Sequence, residues 1–119
     1  MGTNYYAVKK KPSLEEPIHI GKSSFGWLFL FQEQNDNWRE YPIEWHTYNQ
    51  VKEWLEKHTI GENAPYVILD EYEREIQLEE LLTLVEKKQR DERCKNNPDN
   101  FNYNTKNVDG YRFTDSDFS

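Results

Sequence analysis

The stretch Ile18-His19-Ile20-Gly21-Lys22-Ser23-Ser24-Phe25-Gly26-Trp27-Leu28-Phe29-Leu30-Phe31 decides the fold class. Its second half, Trp27 to Phe31, is apolar at every position, and aromatic residues flank each Leu. A short, continuous apolar run of this kind predicts a strand covered on both faces. Gly26 at its start and the polar run Gln32-Glu33-Gln34-Asn35-Asp36-Asn37 after it argue against a helix. Ile18 and Ile20 alternate with His19, which predicts a second strand joined to the first through a Gly21–Gly26 turn. A β-hairpin at the centre of a small sheet is the expected object.

Gly21-Lys22-Ser23 resembles the end of a phosphate-binding loop, but the rest of that motif is absent. The first glycine of the motif falls on Glu16, whose carboxylate would repel a phosphate, and a strand-like run replaces the required helix. Lys22, Ser23 and Ser24 are therefore read first as a solvated turn.

Outward from this stretch, Thr3 to Val8 predicts another strand, closed by Lys9-Lys10-Lys11-Pro12. Pro12 to Pro17 reads as a connector, because proline lacks the ladder donor. Trp38 to Trp45 is an aromatic-rich crossing segment. A helix then starts at Thr47, where Gln50 completes a capping box. Val51, Trp54, Leu55 and His58 form its apolar stripe, and Gly61 stands just past its end. Tyr66 to Asp70 predicts a strand, Glu71 to Arg74 a turn, and Glu75-Ile76 a brief return. Leu78, Leu81, Leu82 and Val85 mark a second helix, with Glu79 and Glu80 near its start and basic residues near its end, as the helix dipole favours. Trp27 and Trp54, on two strongly patterned elements, are expected to share one core.

These elements predict an α+β domain over residues 1–94, a small and mostly antiparallel sheet with two helices packed on one face. Residues 95–109 are Asn-rich and read as a flexible loop, and residues 110–119 as a C-terminal strand or extended tail. At 119 residues the chain suffices for one core, and its 18 aromatic rings offset a mean hydropathy of −1.09.

The formal net charge is −7, distributed as +2 over residues 1–24, −4 over 25–65, −4 over 66–94 and −1 beyond. Direct nucleic-acid binding through a basic face is not expected, whereas attraction to a basic protein is. The single Cys94 excludes an internal disulfide and any multi-cysteine metal site. No signal peptide or membrane-spanning run is read, so a cytoplasmic location without membrane attachment is expected. No cofactor motif is found.

The three histidines are dispersed. His58 lies on the helix stripe, where capping or core packing is favoured, and His46 precedes the cap, a structural or exposed position. His19 is near Lys22, Ser23 and Ser24, and these four residues are the candidate ligand- or partner-binding site. No acidic partner completes a catalytic set, and Asp115 and Asp117 read as an exposed acidic tail rather than a cation site. Glu71, Glu73, Glu79 and Glu80 form the alternative interface.

Three blocks carry a family resemblance: Met1-Gly2-Thr3-Asn4-Tyr5-Tyr6, the stretch Ile18 to Trp27, and Asp70-Glu71-Tyr72-Glu73-Arg74-Glu75-Ile76. Together with the closing Asp117-Phe118-Ser119, they resemble a family of small, uncharacterised phage and prophage proteins. The resemblance implies a phage-linked protein and no particular activity. Many members of that family carry a paired-cysteine motif suited to zinc where this chain has Lys9 to Pro17, so no metal site of that kind is expected. Members usually have Gly where Glu73 stands, which implies a turn here that does without a residue free to take positive φ. Three functional readings follow. The first is an acidic interaction protein that binds and inhibits or redirects a host protein, in antiviral defence or nucleic-acid processing. The second is a module for an anionic small molecule such as a nucleotide, and the third a small hydrolase using His19 with Ser23 or Ser24.

Overall fold

In the computed structural model, which describes residues 2–24, 26–95 and 105–115, the chain opens with the antiparallel strands β1 (Gly2–Lys9) and β2 (Ile18–Ser24). β3 (Leu30–Gln32) continues outward from β2, and β4 (Gln34–Asp36) with β5 (Ile43–Trp45) forms a separate two-stranded sheet. Then come α1 (Tyr48–Thr59), β6 (Tyr66–Asp70), β7 (Glu75–Ile76), α2 (Leu78–Arg90) and the short α3 (Glu92–Lys95). β8 (Thr105–Val108) and β9 (Tyr111–Thr114) complete a seven-stranded sheet in the order β7-β6-β1-β2-β3-β9-β8. Only the β3–β9 pairing is parallel among the described strands. The fold is α+β with a mostly antiparallel sheet.

One core joins sheet and helices. Ala7, Ile18, Ile20, Phe31, Ile68 and Phe113 come from the sheet, Val51, Trp54 and Leu55 from α1, and Leu78, Leu81 and Val85 from α2. α1 begins as its sequence dictates: the Gln50 N–H donates to Thr47 Oγ1 at 3.2 Å, and Gly61 beyond the helix takes φ +103°.

The central stretch differs from its sequence reading. Residues 21–24 form no turn but continue β2, opposite Tyr5, Asn4, Thr3 and Gly2 of β1. A long antiparallel partner supplies ladder bonds that outweigh the weak strand preference of Gly and Ser. The turn lies later, where the Trp27 N–H donates to the Ser24 carbonyl at 3.1 Å and Gly26 takes φ +80°. Gly21 is fixed by close approach, since a Cβ there would overlap the Leu30 carbonyl and the Phe29 ring. Opposite Tyr5 and Tyr6 the register shifts, from Gly21 to His19, leaving Ile20 as an extra residue in a β-bulge.

Trp27 does not join Trp54 in the core. It is half-buried in the turn, whereas Trp45 is fully buried and meets Trp54 edge-on at 5.7 Å. The Asn-rich segment is also shorter than expected: Lys95 closes α3, and residues 105–108 are a strand. β8 and β9 are joined by Asp109 (φ +54°) and Gly110 (φ +89°), both left-handed as a two-residue hairpin turn requires. Residues 96–104 of the expected loop and 116–119 of the expected tail lie outside the described residues, as does Phe25.

Candidate functional site

His19, Lys22, Ser23 and Ser24 all lie on β2, flanked by β1 and β3, and not on a loop. His19 Nε2 is hydrogen-bonded to Asn4 Oδ1 at 2.8 Å, and its ring lies 5.2 Å from that of Tyr6. Directly paired residues project to one side of a sheet, so Lys22 shares the face of Asn4 and His19, and Ser23 shares the opposite face with Thr3. Extended backbone places Ser23 about 13 Å along the strand from His19, well beyond hydrogen-bonding reach. The Ser24 carbonyl is engaged by Lys88, whose Nζ donates to it at 2.6 Å and to the Trp27 carbonyl at 2.9 Å. Burial holds the Lys88 ammonium below its ordinary pKa, and its contacts make it a clamp on the 24–27 turn.

The alternative acidic set is divided. Glu71 Oε1 accepts the Asn4 N–H at 2.8 Å, and Glu71 and Glu80 both act, after burial and Asp70, to raise the pKa of the Tyr5 hydroxyl. Glu73 occupies the tip of the β6–β7 connection and adopts φ +64°, so this turn does use positive φ without glycine. Glu79 faces elsewhere, into a cleft between α1 and α2 with Glu56 and Glu86.

A larger acidic feature lies beside α1, and it is built by the segment 36–45. Arg39 is buried and ties this segment down: its Nε donates to Asp36 at 3.1 Å and its Nη1 to the Glu16 carbonyl at 2.7 Å, while Trp38 covers its guanidinium at 4.4 Å. Lys9 pairs with Glu40 and lies 3.7 Å from Glu15, which also accepts the Tyr66 hydroxyl at 2.9 Å. Burial opposes ionisation of Glu15, but the Tyr66 hydrogen bond and its other donors outweigh it and hold the carboxyl below its ordinary pKa. Finally, Trp54 Nε1 donates to the Pro42 carbonyl at 3.1 Å, seating the segment against α1.

Between the two lies an open groove of about 810 Å³. Its aromatic floor is continuous: the His58 ring lies 4.2 Å from Trp54 and 5.3 Å from Tyr41. Glu40, Glu44, Glu53 and Glu56 stand around it against one cation, Lys57. Glu40 is engaged by Lys9, and Glu44 accepts His46 Nε2 at 3.0 Å. Hydrogen bonds to Glu33 and then Glu44 raise the pKa of His46. Glu53 and Glu56, by contrast, have no cationic partner within 4.0 Å among the described residues. Carboxylates around rings suit a guanidinium or ammonium group, which gains from both.

Sequence reading missed this groove. The spacing of Glu53 and Glu56 does place them on one side of a helix, a signal available in the sequence. Nothing local announces that Glu40, Tyr41 and Glu44 come to face them. Among the described residues no three His, Cys, Asp or Glu side chains gather as a metal site, and no helix is long and apolar enough to cross a membrane. No protein-family model, curated protein or solved structure matches the chain.

Proposed function

We propose that this chain is a non-catalytic interaction protein that binds a basic surface of another protein through the groove beside α1. The observation that carries this reading is the pair Glu53 and Glu56, without a cationic partner within 4.0 Å among the described residues, beside the Trp54–His58–Tyr41 floor. The net charge of −7 adds long-range attraction to a basic partner. The sequence resemblance to phage and prophage proteins supports a host protein as that partner, with inhibition or redirection as the outcome of binding.

The test compares three forms of the full chain as bait in host lysate: wild type, Glu53→Lys/Glu56→Lys and Lys22→Glu. A protein retained by wild type should be lost by the double reversal, with affinity at least about tenfold weaker, since each like charge placed against a basic surface is repulsive. Lys22→Glu should retain it. Binding by wild type should also weaken as salt rises, and more steeply than the residual binding of the reversal. Capture that survives Glu53→Lys/Glu56→Lys in a folded variant overturns the proposal.

A further inference from the structure

We infer that the partner docks as a basic segment with one apolar anchor, its cationic side chain in the groove beside α1 and its apolar side chain in the cleft between α1 and α2. This inference rests on the proposed acidic interface and specifies its chemistry. The second observation is independent of charge. A single exposed Ile needs no explanation, but Ile60, with 60% of its surface exposed, stands beside Leu78 and Leu82 and with them lines a cleft of about 410 Å³. Glu56, Glu79 and Glu86 stand along that cleft, with Arg90 as the one cation among its lining residues.

The two depressions adjoin, because Glu56 lines both. Glu53 and Ile60 are seven positions apart on α1 and at its C-terminal cap, which corresponds to about 10 Å along the axis. A partner therefore needs a cation and an apolar side chain separated by about that distance, which a helix supplies at positions i and i+7. Glu79 and Glu86, at the same seven-residue spacing on α2, give further basic residues of such a helix carboxylates to face. The surface thus favours a basic amphipathic helix over a uniformly basic one.

The experiment uses two labelled synthetic helices in fluorescence-anisotropy titrations against the full chain. One carries Arg at position i and Leu at i+7 on an Ala/Gln background with flanking Lys, and the other replaces that Leu with Ser. Wild type should bind the Leu helix at least fivefold more tightly. Ile60→Gln, a change at an exposed position, should remove that preference while altering binding of the Ser helix less than twofold. Glu53→Lys/Glu56→Lys should weaken both helices. Equal binding of the two helices by wild type, or a preference that survives Ile60→Gln, overturns the two-part inference while the acidic interface stands. Insensitivity of both helices to Glu53→Lys/Glu56→Lys, or no binding of either, overturns both.

Discussion

Glu73→Gly should stabilise the protein. The β6–β7 connection is held by Asp70, whose Oδ1 accepts the Tyr72 and Arg74 N–H groups at 2.8 and 3.0 Å and whose Oδ2 accepts Arg74 Nε at 2.9 Å. The Glu73 N–H donates to the Asp70 carbonyl at 3.0 Å, so residue 73 is fixed in the left-handed region at φ +64°. That conformation costs an L-residue roughly 1–2 kcal/mol. Glycine removes the cost but gives up about 0.5–1 kcal/mol more chain entropy on folding. The exposed Glu73 side chain makes no hydrogen bond among the described residues, so little else is lost. At the middle of these ranges the net gain is about 0.7 kcal/mol, which for a domain of this size raises Tm by about 3 °C. Thermal unfolding followed by circular dichroism measures it. Glu73→Gln is the control, because it keeps the backbone cost and removes only the charge; it should move Tm by less than about 1 °C. A Glu73→Gly midpoint at or below wild type, or a Gln variant that reproduces the whole gain, refutes the assignment of strain to this backbone.

Two further predictions concern the core and pH. Trp45, fully buried, edge-on to Trp54 and donating from Nε1 to the Gln32 carbonyl, should cost about 3–5 kcal/mol on replacement by Ala. Trp27→Ala should cost clearly less in the same urea titration, and equal losses would contradict the placement of Trp27 outside the core. The pKa of His46 is raised above its ordinary value of 6.5 by Glu33 and Glu44. A raised folded pKa means that its contribution is complete below pH about 6.5 and is lost as pH climbs through the folded value. His46→Gln should therefore flatten the fall in Tm on going from below 6.5 to alkaline pH, and parallel Tm–pH curves for the two proteins would count against the pairing.

The two longer helices, α1 and α2, are legible because their information is local. Thr47, Gln50, the Val51–Trp54–Leu55 stripe and Gly61 define α1 within fifteen residues, and the structure keeps these roles except that the Gln50 side chain accepts the His46 N–H, at 2.7 Å, and not that of the Thr47 cap. Structure departs from sequence expectation where partners are distant. Residues 21–24 read as a turn by composition, yet β1 pairs them as strand as far as Gly2. Trp45 looked like one aromatic residue among several in a crossing segment, and its burial depends on Gln32 and Trp54. Asp109-Gly110 between Val108 and Tyr111 is a strong two-residue hairpin signal that the Asn-rich composition before it obscures.

The groove was hidden for the same physical reason, carried further. An excess of carboxylates is visible in the sequence, but whether it forms a face depends on which carboxylates the fold neutralises. Lys9 engages Glu40, Arg39 engages Asp36 and Glu15, His46 engages Glu33 and Glu44, and Arg74 engages Asp70. Each of these pairs ties a loop or turn in place, and Lys9 and Arg39 are the lysine and arginine of residues 1–60 whose ion pairs do so. Glu53 and Glu56 hold no loop, and the segment they face is anchored by Arg39 and by Trp54 instead. Their charge is therefore not required for folding, which is why reversing it tests binding with little risk to the fold.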